Sequence, residues 1–242
     1  MNLCIDQGNS STKVGLFEQN KLEESFSYKK FETAEIADLF EKYAIDNCII
    51  SSVITKNDAF VDDLRKRTVF LIELSHDTAI PIVNHYATPE TLGKDRLAAV
   101  VGASFLKPKT DLLVIDAGTA ITYDFIDANH IFWGGNIAAG FDLRLRSLHE
   151  YTQKLPLVKA KIDSPLLGND THSALISGAM HGIVFEMDGY INTLKIKYPQ
   201  LSTFLTGGST FYFDTKLKNA IFVETNLVLI GLNRIIQYNV QK

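Results

Sequence analysis

Cysteine is almost missing from this chain: two residues, Cys4 and Cys48, in 242. Each lies inside an apolar run that reads as a buried strand, so a disulfide framework and a cysteine-based metal site are excluded and both thiols are expected reduced in a core. An excess of one charge is missing as well. Lysine plus arginine number 24 against 28 aspartates and glutamates, a net −4 without long runs of either sign, which argues against a sequence-independent grip on nucleic acid or an anionic membrane. No stretch approaches the roughly 18 apolar residues of a membrane helix. Met1 leads into Asn2, Leu3 and then Asp6, not into a charged segment followed by an apolar one. The expectation is a cytoplasmic protein without nucleic-acid or membrane partners. Neither a Walker A sequence nor Gly-x-Gly-x-x-Gly occurs, which disfavours a P-loop enzyme and a Rossmann dehydrogenase. The histidines, at 76, 85, 130, 149, 172 and 181, have no metal-ligand spacing and no cysteine partners, so a zinc site and a serine-histidine hydrolase lack support.

What is present is an ordinary globular composition, 46% hydrophobic and 21% charged, with a clear α/β pattern. Strands are expected at 2–6, 13–18 and 22–28, then a helix near 33–45, a strand at 47–53, a helix near 57–67 and a strand at 69–74. Gly93 to Leu106 reads as a helix ended by Pro108, with a domain boundary at 110/111. Strands then restart at 112–116, 121–126 and 131–133. Asp6, Gly8 and Thr12 recur at the same offsets as Asp116, Gly118 and Thr122, and the turn at 18–21 matches the turn at 127–130. This order implies two copies of one β-β-β-α unit, in domains 1–110 and 111–242 that face each other. The glycine-rich 134–140 reads as a strand-to-helix connection. A long helix is expected from Thr171 to Tyr198, on the stripe Ile176, Met180, Ile183, Val184, Met187, Tyr190, Ile191 and Leu194. Gly178 and Gly182, one turn apart in it, permit a close crossing, in the core or against another domain or subunit. A short strand at 204–206 and a helix near 226–238 close the pattern.

Three segments carry candidate chemistry. In the first, Asp6, Gln7, Gly8, Asn9, Ser10, Ser11, Thr12 and Lys13 form a tight turn between strands, whose unpaired N–H groups and glycine can cradle phosphate. Asp6 can hold a hydrated Mg²⁺ there, directly or through water, and Lys13 can neutralise charge. A plain polar hairpin is the alternative, but its second copy, Asp116-Ala117-Gly118-Thr119, favours a paired phosphate and cation site. Gly93-Lys94-Asp95-Arg96 opens a helix. Its acid either complements the helix dipole or, beside an acceptor hydroxyl, takes a proton while Arg96 holds an anionic acceptor. Tyr86 can close over an apolar part of a substrate or simply half-bury itself in a loop. Gly207-Gly208-Ser209 offers either a bed for a flat base or ribose, or a turn with Ser209 as helix N-cap.

The ordered set Asp6-x-Gly8-Asn9-Ser10-x-x-Lys13, Gly93-x-Asp95-Arg96, Asp116-x-Gly118-Thr119 and Gly134-Gly135-x-Ile137 resembles the bacterial type III pantothenate kinases, within the superfamily of acetate and sugar kinases, heat-shock ATPases and actin. The match runs from residue 2 to about 235. It implies two similar ribonuclease H-like domains, duplicated β-β-β-α-β-α units of the actin-like ATPase type with an interdomain nucleotide cleft. It further implies phosphorylation of pantothenate by ATP, the first step towards coenzyme A, in a homodimer that needs Mg²⁺ and a monovalent cation such as K⁺ or NH₄⁺. Carried over by position, the nucleotide loop falls on Asp6 to Lys13 with a second contact at Thr119, the proton acceptor on Asp95, and the monovalent cation ligand on Asp116. Pantothenate contacts fall on Tyr86, Gly93, Lys94, Asp95, Arg96 and Thr171. One departure is visible: many relatives have a proline between Ile137 and Gly140, where this chain has Ala138-Ala139. A kinase of another small hydroxylated metabolite, or a regulatory protein that keeps the nucleotide fold without turnover, is the alternative.

Overall fold

The computed structural model describes residues 1–54 and 58–240. It divides into two compact units. The first comprises Met1–Lys109, Asn129–Trp133 and the chain from Asn226 on; the second comprises Thr110–Ala128 and Gly134–Thr225.

In the first unit, β1 (Asn2–Gln7), β2 (Thr12–Glu18) and β3 (Lys21–Tyr28) form a meander, followed by α1 (Thr33–Lys42), β4 (Asn47–Ser52), α2 (Asp58–Arg67) and β5 (Phe70–Glu73). The sheet order is β3-β2-β1-β4-β5, antiparallel in the meander and parallel from β1 through β4 to β5. A start of α2 at residue 57 lies outside the described residues. The alternation of side chains decides the layers. Leu3, Ile5, Cys48 and Ile50 pack with Ile36, Leu39, Phe60, Val61 and Leu64 of α1 and α2. The opposite face of the sheet, which carries Asn2, meets the C-terminal helix, with Asn2 Nδ2 donating to Asn233 Oδ1 at 2.9 Å. Because Cys48 is in register with Leu3 while Cys4 is in register with Ile49, the two buried thiols point to opposite faces and stay free. Burial pushes both thiols up, which keeps them protonated. Within the loop at 75–93 a two-residue strand β6 (Val83–Asn84) and a 3₁₀ turn Pro89–Thr91 precede α3 (Lys94–Leu106).

The second unit repeats the plan. Strands β7 (Leu112–Ala117), β8 (Ala120–Ile126) and β9 (Ile131–Ala139, which enters this unit from Gly134) lead to α4 (Phe141–Glu150) and α5 (Thr171–Lys197); β10 (Ser202–Thr206) and β11 (Phe222–Val223) follow. Their order, β9-β8-β7-β10-β11, is the order of the first sheet, so the duplicated α/β unit is present in both halves. Two expectations change in detail. Residues 134–139 continue β9 and are not a loop: Gly135 lies so near β8 that a Cβ there would overlap the Tyr123 carbonyl, so glycine permits pairing where it reads as a breaker. Thr122 is in register with Asp116, whereas the residue in register with Asp6 is Lys13. The second hairpin is one residue shorter, so by pairing Thr122 stands for Lys13 and not for Thr12.

Helix α5 buries Ile176, Met180, Ile183, Val184, Met187 and Ile191 and is capped by Asp170, whose carboxylate accepts from Ser173 N at 3.0 Å. Gly178 does not pack in the core; it is exposed, and beyond its own stretch of helix no atom of the described residues lies within 4 Å of the place a Cβ would take.

The last helix, α6 (Leu227–Val240), belongs to the first unit although it follows the boundary at 110/111. It crosses α3 at a glycine pair, where a Cβ on Gly231 would overlap the Ala98 carbonyl and one on Gly102 would collide with the Leu227 carbonyl. Two backbones therefore touch, and Leu229, Leu232, Ile235 and Ile236 are buried around them. Gly231→Ala should lower stability by about 2–3 kcal/mol through overpacking against backbone, read as a lower denaturant midpoint.

Candidate active site

Both central strands end in an acid followed by a closed turn. In the first unit the Gly8 N–H donates to the Ser11 carbonyl at 3.1 Å; in the second the Gly118 N–H donates to the Ala120 carbonyl at 3.0 Å. Asn9, Ser10 and Thr119 are exposed at the tips, and Thr12 is buried at the foot of the first turn. Asp6 is half-buried, with Lys13 in register on one side and Ser51 on the other. Ser51 is fully buried and its Oγ has no hydrogen-bond partner among the described residues, an orphaned oxygen in register with Asp6 that no sequence motif marks. Around Asp116 the same pattern returns, with Thr122 and Thr206 in register and the Thr122 Oγ1 unpartnered among the described residues. Among the described residues no three histidine, cysteine or acidic side chains gather as a metal cage. One carboxylate with neighbouring hydroxyls fits hard cations that keep water or phosphate ligands, as Mg²⁺ does.

The first turn has the start of α3 for a neighbour. Gln7 alternates to the other face of β1, and with Ser52, Glu73 and Lys94 it lines a cavity of about 100 Å³ walled by Ile50, Phe60, Val61 and Leu74. Gly93 heads α3 without a side-chain cap, and its missing Cβ leaves room for the Asp95 carboxylate, whose Oδ1 would stand 2.6 Å away. Oδ1 accepts from the Arg96 N–H at 2.8 Å, which satisfies a helix-start donor; Oδ2 has no donor among the described residues. The dipole role and an available carboxylate oxygen therefore coexist. Arg96 is 5% exposed, its guanidinium 5.5 Å from the centre of the Tyr86 ring, which in turn stacks on Phe132 at 6.3 Å. Tyr86 thus stands against Arg96 as well as in a loop.

In the second unit two glycines clasp the turn. A Cβ on Gly140 would collide with the Gly118 carbonyl, and the Gly140 N–H donates to the Thr119 carbonyl at 3.0 Å. Gly207, at φ +100°, lies against the Asp116 carboxylate, and the Ser209 N–H donates to the Ala117 carbonyl at 2.9 Å. Ser209 heads only a 3₁₀ turn (Thr210–Tyr212) and makes no side-chain cap. Gly140, Gly207 and Ser209 are thus companions of Asp116 and Thr119. Burial and the Glu186 carboxylate push the Tyr123 phenol up, so it stays protonated and donates to Glu186 Oε1 at 2.7 Å. Thr171 is exposed at the start of α5, about 22 Å along the helix axis from Glu186.

Two units of this topology, each with an acid near the end of its central strand followed by a tight turn, have the fold of the actin-like ATPases and sugar kinases. Solved structures agree on the fold: an activator of 2-hydroxyisocaproyl-CoA dehydratase from Clostridium difficile, bound to ADPNP, has TM-score 0.55 at 11% identity over 99% of this chain and 96% of its own. A conserved protein from Campylobacter jejuni described as a Baf family transcriptional activator has TM-score 0.60 at 24% identity over 99% and 100%. The family model for type III pantothenate kinase matches residues 2–193. Curated relatives of that name include proteins of Phocaeicola vulgatus, 48% identical over 99% of both chains, and Cytophaga hutchinsonii, 40% identical over 99% of this chain and 100% of its own. The chain belongs to the type III pantothenate kinase family.

Gly207→Ala should force Asp116 from its place, since the new Cβ meets that carboxylate and adopts a disfavoured φ. The expected outcome is a loss of about 2 kcal/mol in thermal or denaturant unfolding.

Proposed function

We propose that this protein transfers the γ-phosphoryl group of ATP to the hydroxyl of pantothenate, giving 4′-phosphopantothenate and ADP at the start of coenzyme A synthesis. The observation that carries the reading is Asp95: a half-buried carboxylate with one oxygen anchored and one without a donor, beside buried Arg96, in the unit that also holds the Asp6–Lys13 turn.

On this reading Asp95 Oδ2 takes the hydroxyl proton as the hydroxyl oxygen bonds to phosphorus and the bond to the ADP oxygen breaks. Arg96 meets the pantothenate carboxylate, and Tyr86, Gly93 and Lys94 line the acceptor site. Asp6, Gln7, Gly8, Asn9, Ser10, Ser11, Thr12 and Lys13 hold nucleotide phosphates in the first unit, and Thr119 contacts the nucleotide in the second. Mg²⁺ near Asp6 supplies charge neutralisation of the phosphates, and Asp116 holds K⁺ or NH₄⁺. The domain assignment at 110/111 is kept for these roles, with α6 added to the first unit. A cytoplasmic homodimer is part of the proposal. Its support is the outer stripe of α5, where Gly178 is open and Phe185 and Ile196 are 57% and 84% exposed, so that a second copy can cover them and bring Thr171 to pantothenate near the interface.

Purified protein with ATP, Mg²⁺, K⁺ and pantothenate should form ADP together with a product heavier by one phosphoryl group. Asp95→Asn should lower kcat by roughly 10²–10⁴-fold with ATP still bound; near-normal turnover removes Asp95 from the mechanism. Exchange of K⁺ and NH₄⁺ for Na⁺ should slow turnover severalfold, and equal rates count against Asp116 as the cation ligand.

A further inference from the structure

Ala138-Ala139, unlike a proline, puts no restriction of its own on the strand end before Gly140. The orientation of the Ala139–Gly140 peptide therefore rests on the bonds at its two ends. Its carbonyl accepts from Arg144 Nε at 2.8 Å, and its N–H donates to the Thr119 carbonyl at 3.0 Å. These groups point in opposite directions across a planar peptide, so Arg144 and Thr119 hold one plane from both sides.

Arg144 is itself held. Its Nη2 donates to Glu186 Oε2 at 2.6 Å, and Glu186 Oε1 accepts from Tyr123, which is 2% exposed. Tyr190 stacks on Tyr123 at 4.1 Å and its hydroxyl accepts from Asn136 Nδ2 of β9 at 3.1 Å. The side chains of Arg144 and Glu186 are 22% and 28% exposed, so water screens the pair only in part. Charge-assisted bonds in series polarise one another.

We infer that Arg144 and Glu186 are positioning residues: through the Ala139–Gly140 peptide they fix the Gly118–Thr119 turn in the shape that receives nucleotide. The inference rests on the proposal that Thr119 contacts ATP. Arg144 acts as a fork, with Nε on the carbonyl and Nη2 on the carboxylate at once; a lysine at the same place has a single nitrogen to offer. An ion pair that merely fastened α4 to α5 has no reason to favour one substrate over the other. The relay ends on the nucleotide turn and affects that substrate alone.

The test uses the full chain carrying Arg144→Lys, Glu186→Gln or Arg144→Ala. Affinity for a non-hydrolysable ATP analogue is measured by titration calorimetry, KM for each substrate by kinetics, and folding by thermal midpoint. Arg144→Lys and Glu186→Gln should weaken the analogue about tenfold, equivalent to about 1.4 kcal/mol, with pantothenate KM within about twofold of native. Arg144→Ala should weaken it at least as much, and if it fails to fold the other two variants decide. Unchanged analogue affinity in the folded variants overturns the inference, as does a joint rise of both KM values in proportion to lost thermal stability. A native protein that binds the analogue but does not phosphorylate pantothenate overturns the substrate proposal and leaves the relay to be decided by the binding data. A native protein that binds no analogue overturns the relay.

Discussion

A strand paired along both edges and covered on both faces has spent its backbone groups on its neighbours, and anything further it offers must lie past its last pair. β1 is held between β2 and β4, and β7 between β8 and β10, each through most of its length. Leu3, Cys4 and Ile5 in one, and Leu112 to Ile115 in the other, are all buried. What remains is the carboxyl end, where the side chains of Asp6 and Asp116 stand one pair before each turn and the chain leaves the ladder. In the first sheet β4 closes with Ser51 in register with Asp6; in the second, Gly207 just after β10 and Gly140 just after β9 lie against the Asp116 turn. Active sites of open α/β sheets collect there because the rest of the sheet is already bonded.

Within that arrangement the molecule uses missing side chains as a structural element. Gly102 against α6, Gly231 against α3, Gly140 against the Gly118 turn and Gly207 against Asp116 each bring main chain or carboxylate closer than any Cβ allows. Main-chain contact is stiff, since no rotamer can absorb a displacement. Thr119, whose polar side chain meets solvent, is set on the position that Gly140 fixes and does not define it.

Much of this was legible in the residues. Repetition of Asp-x-Gly at 6 and 116, each after an apolar strand, foretold the duplicated unit because the physical demand at the end of a central strand is local. Gly93-Lys94-Asp95-Arg96 foretold a helix start for the same reason. Four features were not legible. Equal spacing paired Thr12 with Thr122, whereas cross-strand register gives Thr122 the place of Lys13; one deleted turn residue alters no local pattern. Residues 134–139 read as loop because glycine is a poor strand former in isolation, and only the neighbouring Tyr123 carbonyl explains its presence. Ser51 and the Arg144–Glu186 pair depend on partners 42 to 45 positions away, a relation that no window along the chain contains.

The return of α6 to the first unit has a consequence for the order of assembly. A chain emerging from the ribosome displays β1 to β5 and α3 early, but the surface of α3 that Gly102 opens waits for a helix encoded more than a hundred residues later. The second unit, continuous from Gly134 to Thr225 apart from its first strands, can gather its core while the first still lacks its final layer. The first unit is therefore closed only after the second has been made, and until α6 emerges the apolar α3 face around Gly102 stays uncovered.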